Sequence, residues 1–137
     1  MKERFLGVDY GEKRVGVALG VGGLARSLTT LENLSEPDLI KKILTLCQEE
    51  QIEELVVGLP LNEDGSESNQ AKLNKAFGQR LQEAAGLPVQ YWDESLTSGE
   101  ALAEAIANGT PQKRRRSLDG QAAAIILQEF LEAQGSA

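Results

Sequence analysis

Within the first thirty residues, apolar runs alternate with turn residues at hairpin spacing, and after them helix-like and strand-like patterns take turns to the end of the chain. Arg4-Phe5-Leu6-Gly7-Val8-Asp9 reads as a buried strand ending in a polar residue. Tyr10-Gly11-Glu12-Lys13 has turn character, and Arg14 to Leu19 reads as a second strand, so the two form a hairpin. Gly20 to Gly23 supply another turn, after which Arg26 to Leu31 give a third strand. The chain opens as an antiparallel meander.

The period then changes. Ser35 is placed to cap a helix with Pro37 in its first turn, and Leu39, Ile40, Ile43, Leu44 and Cys47 recur at helical spacing over residues 36–50. Ile52 to Leu59 is a compact apolar run closed by Pro60, as expected of a buried strand. Asn62 to Asn69 is a polar loop. A second helix follows with Leu73, Phe77, Leu81 and Ala84 on one face, ending at Gly86 and Pro88. Val89 to Trp92 is a short strand running into Asp93-Glu94. Ser98 starts a helix carrying Ala101, Leu102, Ala105 and Ile106, stopped by Asn108-Gly109. After a basic loop, a last helix from about Leu118 buries Ala122, Ile125, Ile126 and Phe130.

The order βββ-α-β-α-β-α-α implies an α/β fold in one domain over residues 1–137. Its sheet is five-stranded and mixed, a three-stranded antiparallel meander plus two parallel strands, with helices on its faces. This order resembles the topology of the ribonuclease H superfamily, which is the expected fold.

Composition narrows the chemistry. The 137 residues include no histidine and one cysteine. Imidazole-dependent nucleophile systems, His-bearing zinc sites and thiolate clusters are therefore excluded. Acid–base or metal chemistry has to rest on carboxylates, lysines or tyrosines, and carboxylate oxygens prefer hard cations such as Mg²⁺ or Mn²⁺. No apolar run is long enough for a membrane span, and the N-terminus carries no signal-peptide pattern. Lone Cys47 suits a reducing cytoplasm. The net charge of −7 argues mildly against a nucleic-acid partner, but the run Lys113 to Arg116 is a strong local exception.

Three places put a carboxylate at an element boundary. Asp9 ends the first strand, Asp93-Glu94 end the last, and Asp119 falls in the first turn of the last helix. If strands one, four and five are parallel, their C-terminal ends share the sheet edge at which open α/β sheets bind ligands. Convergent carboxylates can hold two metal ions that activate water and stabilise the leaving oxygen of a phosphodiester. Each acid also has a plainer reading. Asp9 can start a turn, Asp119 can stabilise a helix N-terminus, and strand alternation points Asp93 and Glu94 to opposite faces. Their joint placement at one sheet edge is what points to a site.

At these residues a resemblance becomes specific. The segment Leu6-Gly7-Val8-Asp9-Tyr10-Gly11-Glu12-Lys13-Arg14-Val15-Gly16-Val17-Ala18 is similar to the opening of the bacterial YqgF-type family. Val56-Val57-Gly58-Leu59-Pro60 with Asn62 and Gly65 follows in the family's order. So do Trp92-Asp93-Glu94-Ser95-Leu96-Thr97-Ser98 with Glu100-Ala101, and Leu118-Asp119-Gly120-Gln121-Ala122-Ala123-Ala124 with Ile126-Leu127. The four blocks span nearly the whole chain. The family is described as nucleases of pre-16S ribosomal RNA and as Holliday-junction-resolvase-like proteins. The resemblance implies an RNase-H-like fold, a cytoplasmic location, divalent-metal dependence and a role in ribosomal RNA 5′-end processing. It maps the catalytic and metal-holding acids onto Asp9, Glu94 and Asp119. One departure is Ser95, where the family often has arginine. Since Holliday junction resolvases act as dimers, a homodimer is a further expectation.

A charge run is usually a solvated loop, but beside an acidic metal site Lys113, Arg114, Arg115 and Arg116 gain the task of gripping phosphates. Lys13 and Arg14 are weaker candidates for the same task. Gly20-Val21-Gly22-Gly23-Leu24-Ala25 matches G-x-G-x-x-A literally, yet a hairpin turn explains its glycines. Tyr91 and Trp92 could stack on bases, although a short strand makes packing their better role. Three rival readings stand beside the RNA nuclease: a branched-DNA resolvase, a non-catalytic ribosome- or nucleic-acid-binding module, and a phosphate-binding domain of the actin and sugar-kinase type.

Overall fold

A computed structural model describes residues 2–94 and 112–135, with the backbone alone described for residues 112–120 and 135. Five strands form one sheet: β1 (Arg4–Tyr10), β2 (Arg14–Val21), β3 (Leu24–Glu32), β4 (Glu54–Leu59) and β5 (Val89–Asp93). Helices α1 (Glu36–Glu49), α2 (Asn69–Ala85) and α3 (Gln112–Gly135) complete the described elements. The strand order is β3-β2-β1-β4-β5. β1 to β3 pair antiparallel, and β4 lies parallel between β1 and β5. This is the expected mixed sheet. The helix expected from Ser98 lies outside the described residues.

The hairpins follow from local chemistry. Gly22 and Gly23 both have positive φ, 61° and 87°, the backbone that a tight two-residue hairpin turn needs. Gly20 and Val21 therefore stay in β2, opposite Phe5 and Arg4, and the expected four-residue turn contracts to two. β3 carries one extra residue, since Val17 faces Thr29 while Ala18 faces Ser27 and Leu28 bulges between.

Two cores hold the sheet. On one face, Leu6, Val8, Val17, Leu55 and Val57 meet Leu39 and Ile43 of α1 and Phe77 and Leu81 of α2. On the other, Phe5, Ala18 and Val56 meet Ala123, Leu127 and Phe130 of α3. Ser35 caps α1 by accepting from the Asp38 N–H, and Ser68 caps α2 by accepting from the Ala71 N–H.

Two helix expectations need correction. α2 buries Ala71, Asn74, Phe77, Gly78 and Leu81, while Leu73, expected on the apolar face, is 58% exposed. The buried stripe is rotated because a polar residue, Asn74, occupies its centre. α3 begins at Gln112 instead of near Leu118, so Lys113 to Arg116 lie in its first turns and not in a loop. Asp119 consequently sits beyond the first turn. Nothing in this segment breaks a helix before Gly120, and Lys and Arg are good helix formers.

Candidate active site

The site is assembled by strand alternation. In β1, Phe5, Gly7 and Asp9 face α3. Phe5 packs edge-on to Phe130 with ring centroids 5.9 Å apart, and the space above Gly7 is filled by Leu127, whose Cβ would lie 3.0 Å from a β-carbon there. Tyr10, the residue after Asp9, faces the opposite way and stacks on Phe77 at 4.2 Å. In β5, Trp92 meets Phe130 at 6.0 Å. Tyr91 packs with the α2 side and donates to the Lys75 carbonyl at 3.2 Å. Counting on from Trp92, Glu94 returns to the α3 face and Asp93 to the other. The Glu94 N–H donates to the Leu59 carbonyl at 3.0 Å, which extends the β4–β5 ladder by one residue and fixes that count.

Asp9 and Glu94 thus share a face and an edge, but their strands are separated by β4. Strands two places apart lie roughly 9.5 Å from each other, too far for carboxylates to meet over an ordinary side chain. The residue between them is Gly58. A β-carbon built there collides with Glu94 Oε2 and comes within 3.1 Å of Ile126 Cδ1. The missing side chain is the space in which the Glu94 carboxyl group lies and reaches Asp9.

The electrostatics follow from this closeness. The Glu94 carboxyl pKa is pushed up to about 9. Burial is the largest cause, followed by the charge of Asp9, the hydrogen bond between the two side chains and the charge of Asp93. Taking a carboxylate from water and facing it with another both favour the protonated form. Glu94 Oε2 is a buried atom.

α3 runs antiparallel to β1: Phe130 lies over Phe5, Leu127 over Gly7, and Ile126 beside Gly58. Its N-terminal half therefore leads toward the edge carrying Asp9 and Glu94. Asp119 is two helical turns before Ile126 along this line, with its side chain outside the described residues, as are those of Lys113 to Arg116. Ser95 lies outside the described segments altogether. Among the described residues no group of three or more Asp, Glu, His or Cys side chains is placed to hold a metal ion. The described pair is Asp9 with Glu94.

Lys13 is exposed in the β1–β2 turn at the same edge, whereas Arg14 lies 3.7 Å from Glu32 across the β2–β3 pair. The glycines of the G-x-G-x-x-A match form the Gly22–Gly23 hairpin, and Tyr91 and Trp92 pack against helices.

Sequence reasoning missed two contributors. Gly58 appears in the sequence only within an apolar strand and a family-like block, with no role, although a glycine inside a buried strand is itself a sign of close approach. Asn74, fully buried on α2, was hidden in the helical pattern. Its Nδ2 donates to the Gly58 carbonyl at 2.9 Å, and its Oδ1 accepts from Gln70 Nε2 at 2.7 Å.

The meander, the two parallel strands and the acidic pair at their C-terminal edge define an RNase-H-like protein. Solved structures agree on the fold: Thermus thermophilus RuvC in complex with a Holliday junction substrate matches with a TM-score of 0.61 at 16% identity, over 96% of this chain and 95% of that one. Another Thermus thermophilus RuvC structure gives a TM-score of 0.59 at 15% identity, over 97% and 96% of the two chains. The chain belongs to the RuvX family, whose model, described as a Holliday junction resolvase, matches residues 3–133. Curated relatives carry the name "Putative pre-16S rRNA nuclease". The one from Syntrophus aciditrophicus is 42% identical, over 95% of this chain and 89% of its own length. That from Anaeromyxobacter sp. (strain K) is 39% identical, over 94% and 96%.

Proposed function

We propose that this chain is a divalent-metal-dependent nuclease that hydrolyses phosphodiester bonds of structured RNA in the cytoplasm, with pre-16S ribosomal RNA as its substrate. The observation that carries the reading is the Asp9–Glu94 pair, two carboxyl groups drawn together over Gly58 at the C-terminal edge of a parallel strand trio. Family membership and the relatives' shared name support the choice of substrate.

The residues fit a hard cation. The donors are all carboxylate oxygens, and a pair that must otherwise share a proton is relieved of repulsion by a positive ion. Asp9 and Glu94 would hold it, and Asp119 is assigned as the third ligand from the direction of α3 and the family pattern. A bound Mg²⁺ or Mn²⁺ supplies activation of water and neutralisation of charge on the phosphate oxygens. The chain's own residues fix where that happens. β1 and β5 present Asp9 and Glu94 on one face, and the packing of α3 on Gly7 keeps the helix close to them. Lys113 to Arg116, with Lys13, would hold flanking phosphates.

The family description also supports a second reading, a resolvase of four-way DNA junctions, for which a homodimer would be the expected assembly. Cleavage assays with Mn²⁺ on a structured RNA containing the 16S 5′ flank, and on a four-way DNA junction, test both. RNA cleavage that disappears in Asp9→Asn is expected; cleavage of the junction alone transfers the proposal to the resolvase. Activity of a clean Asp9→Asn preparation equal to that of the wild type would refute the catalytic assignment.

A further inference from the structure

The β1–β4 ladder runs from Phe5 opposite Glu54 to Val8 opposite Val57 and stops there. Gly58 is the next residue of β4, and it lies under the Glu94 carboxyl group. Its carbonyl is taken by Asn74 Nδ2 at 2.9 Å. Asn74 is one of two buried polar or charged side chains in the described protein and is fully inaccessible. Burying an amide is costly unless its groups are paired, and both ends of this one are. Gln70, one turn earlier on α2, donates to its Oδ1 at 2.7 Å and so fixes which end of the amide faces the strand.

We propose that Asn74 is a positioning residue of the Asp9–Glu94 site: from the opposite face of the sheet, its side-chain amide clamps the Gly58 carbonyl and sets where the end of β4 lies beneath Glu94. The inference rests on the nuclease reading for what the site does, but the clamp is a physical claim independent of it. β4 stands between the strands carrying the two acids, and the next carbonyl along it, that of Leu59, receives the Glu94 N–H. A shift of the Gly58 peptide therefore moves both the floor under the Glu94 carboxyl group and the main-chain anchor of Glu94. An apolar residue of similar volume would fill the cavity while releasing the carbonyl. A residue that only filled space would tolerate that exchange, and one that only added stability would lower the protection of the core amides and of Glu94 together.

The test uses Asn74→Leu, Asn74→Asp, which retains an acceptor but loses the donor, and Gln70→Ala, which keeps Asn74 but frees its amide. Leu81→Ala, on the same helix and away from Gly58, controls for lost stability. Hydrogen exchange of the Glu94 amide in the metal-free protein is measured beside that of core amides in β1. Expected is exchange at Glu94 at least tenfold faster in Asn74→Leu and Asn74→Asp, threefold faster in Gln70→Ala, and changed in Leu81→Ala only in step with the core. In cleavage assays kcat should fall about tenfold with KM within twofold. If Asn74→Leu does not fold, Gln70→Ala decides. Glu94 exchange that tracks the core amides in every folded variant overturns the clamp, whatever the chain cleaves. Faster exchange with no cleavage by the wild type sinks the nuclease reading and leaves the clamp standing.

Discussion

The carboxyl group of Glu94 occupies the place where a side chain at Gly58 would begin. Because Gly58 separates the strands bearing Asp9 and Glu94, the smallest possible enlargement of that position is also the most informative. Gly58→Ala puts a β-carbon against Glu94 Oε2 and Ile126. Overpacking of this kind costs about 1–3 kcal/mol, and here it also pushes the two acids apart. Urea denaturation should show the loss of stability, and the variant should lose cleavage beyond what its folded fraction explains. An alanine variant as stable and active as the wild type would mean that Glu94 does not lie over β4.

The raised pKa of Glu94 makes stability depend on pH. Unfolded, the group titrates near 4.5; folded, near 9. Between these values the native state holds a proton that the unfolded state has released, so stability in metal-free buffer falls as pH rises through this window. Thermal unfolding between pH 5 and pH 9 should show the decline, and Glu94→Gln should flatten it. Saturating Mn²⁺ should raise Tm most at the alkaline end, because binding stabilises the folded state by mass action and competes with the proton. A metal-free Tm that does not respond to pH would contradict the burial and charge that perturb Glu94.

Asp9 is the second largest cause of that perturbation and the best single probe of the chemistry. Asp9→Asn keeps the shape of the β1 terminus and removes one negative charge. The Glu94 titration, followed by carboxyl carbon NMR, should move down. Cleavage should drop by roughly 100-fold or more, since even partners that only orient a metal ligand are worth 10–100-fold. Fold and Tm should persist, because Asp9 is partly exposed and stands outside both apolar cores. Retained activity with an unmoved Glu94 titration would dissolve the pair as a functional unit.

Much of this was legible in the sequence where one short segment carries its own signal. The apolar run from Phe5 to Val8, the turn at Gly11 and the glycine pair at Gly22–Gly23 each announce a strand or a reversal locally. Asp9 was readable as the polar end of a buried strand. The family resemblance singles out Glu94, but strand alternation alone separates it from Asp93 only once Trp92 is placed against Phe130, because alternation needs a fixed origin. Gly58 could not be assigned a role, since its partner lies 36 positions on and the two meet only through strand pairing. Asn74 interrupts the apolar stripe of α2, so periodicity shifted toward Leu73, which is exposed. The loop reading of the basic run follows from charge, which resembles solvated loop composition, yet Lys and Arg sustain a helix.

That last difference changes what the basic run should contribute. In a loop, Arg114, Arg115 and Arg116 could all turn toward one phosphate chain. In α3, successive positions are rotated about 100° around the axis, so no more than two of the three can face the same strand of nucleic acid. Binding affinity falls with salt by a slope of about 0.7–0.9 per phosphate contact. Replacing all three arginines with alanine should therefore flatten the log–log salt slope by about one to two instead of the full two to three. Fluorescence anisotropy with a labelled structured RNA at 50–300 mM KCl, in Ca²⁺ to suppress cleavage, would measure it. A slope lowered by the full amount would favour an unwound segment on binding, and an unchanged slope would leave phosphate recognition to Lys13 and to residues elsewhere along the edge.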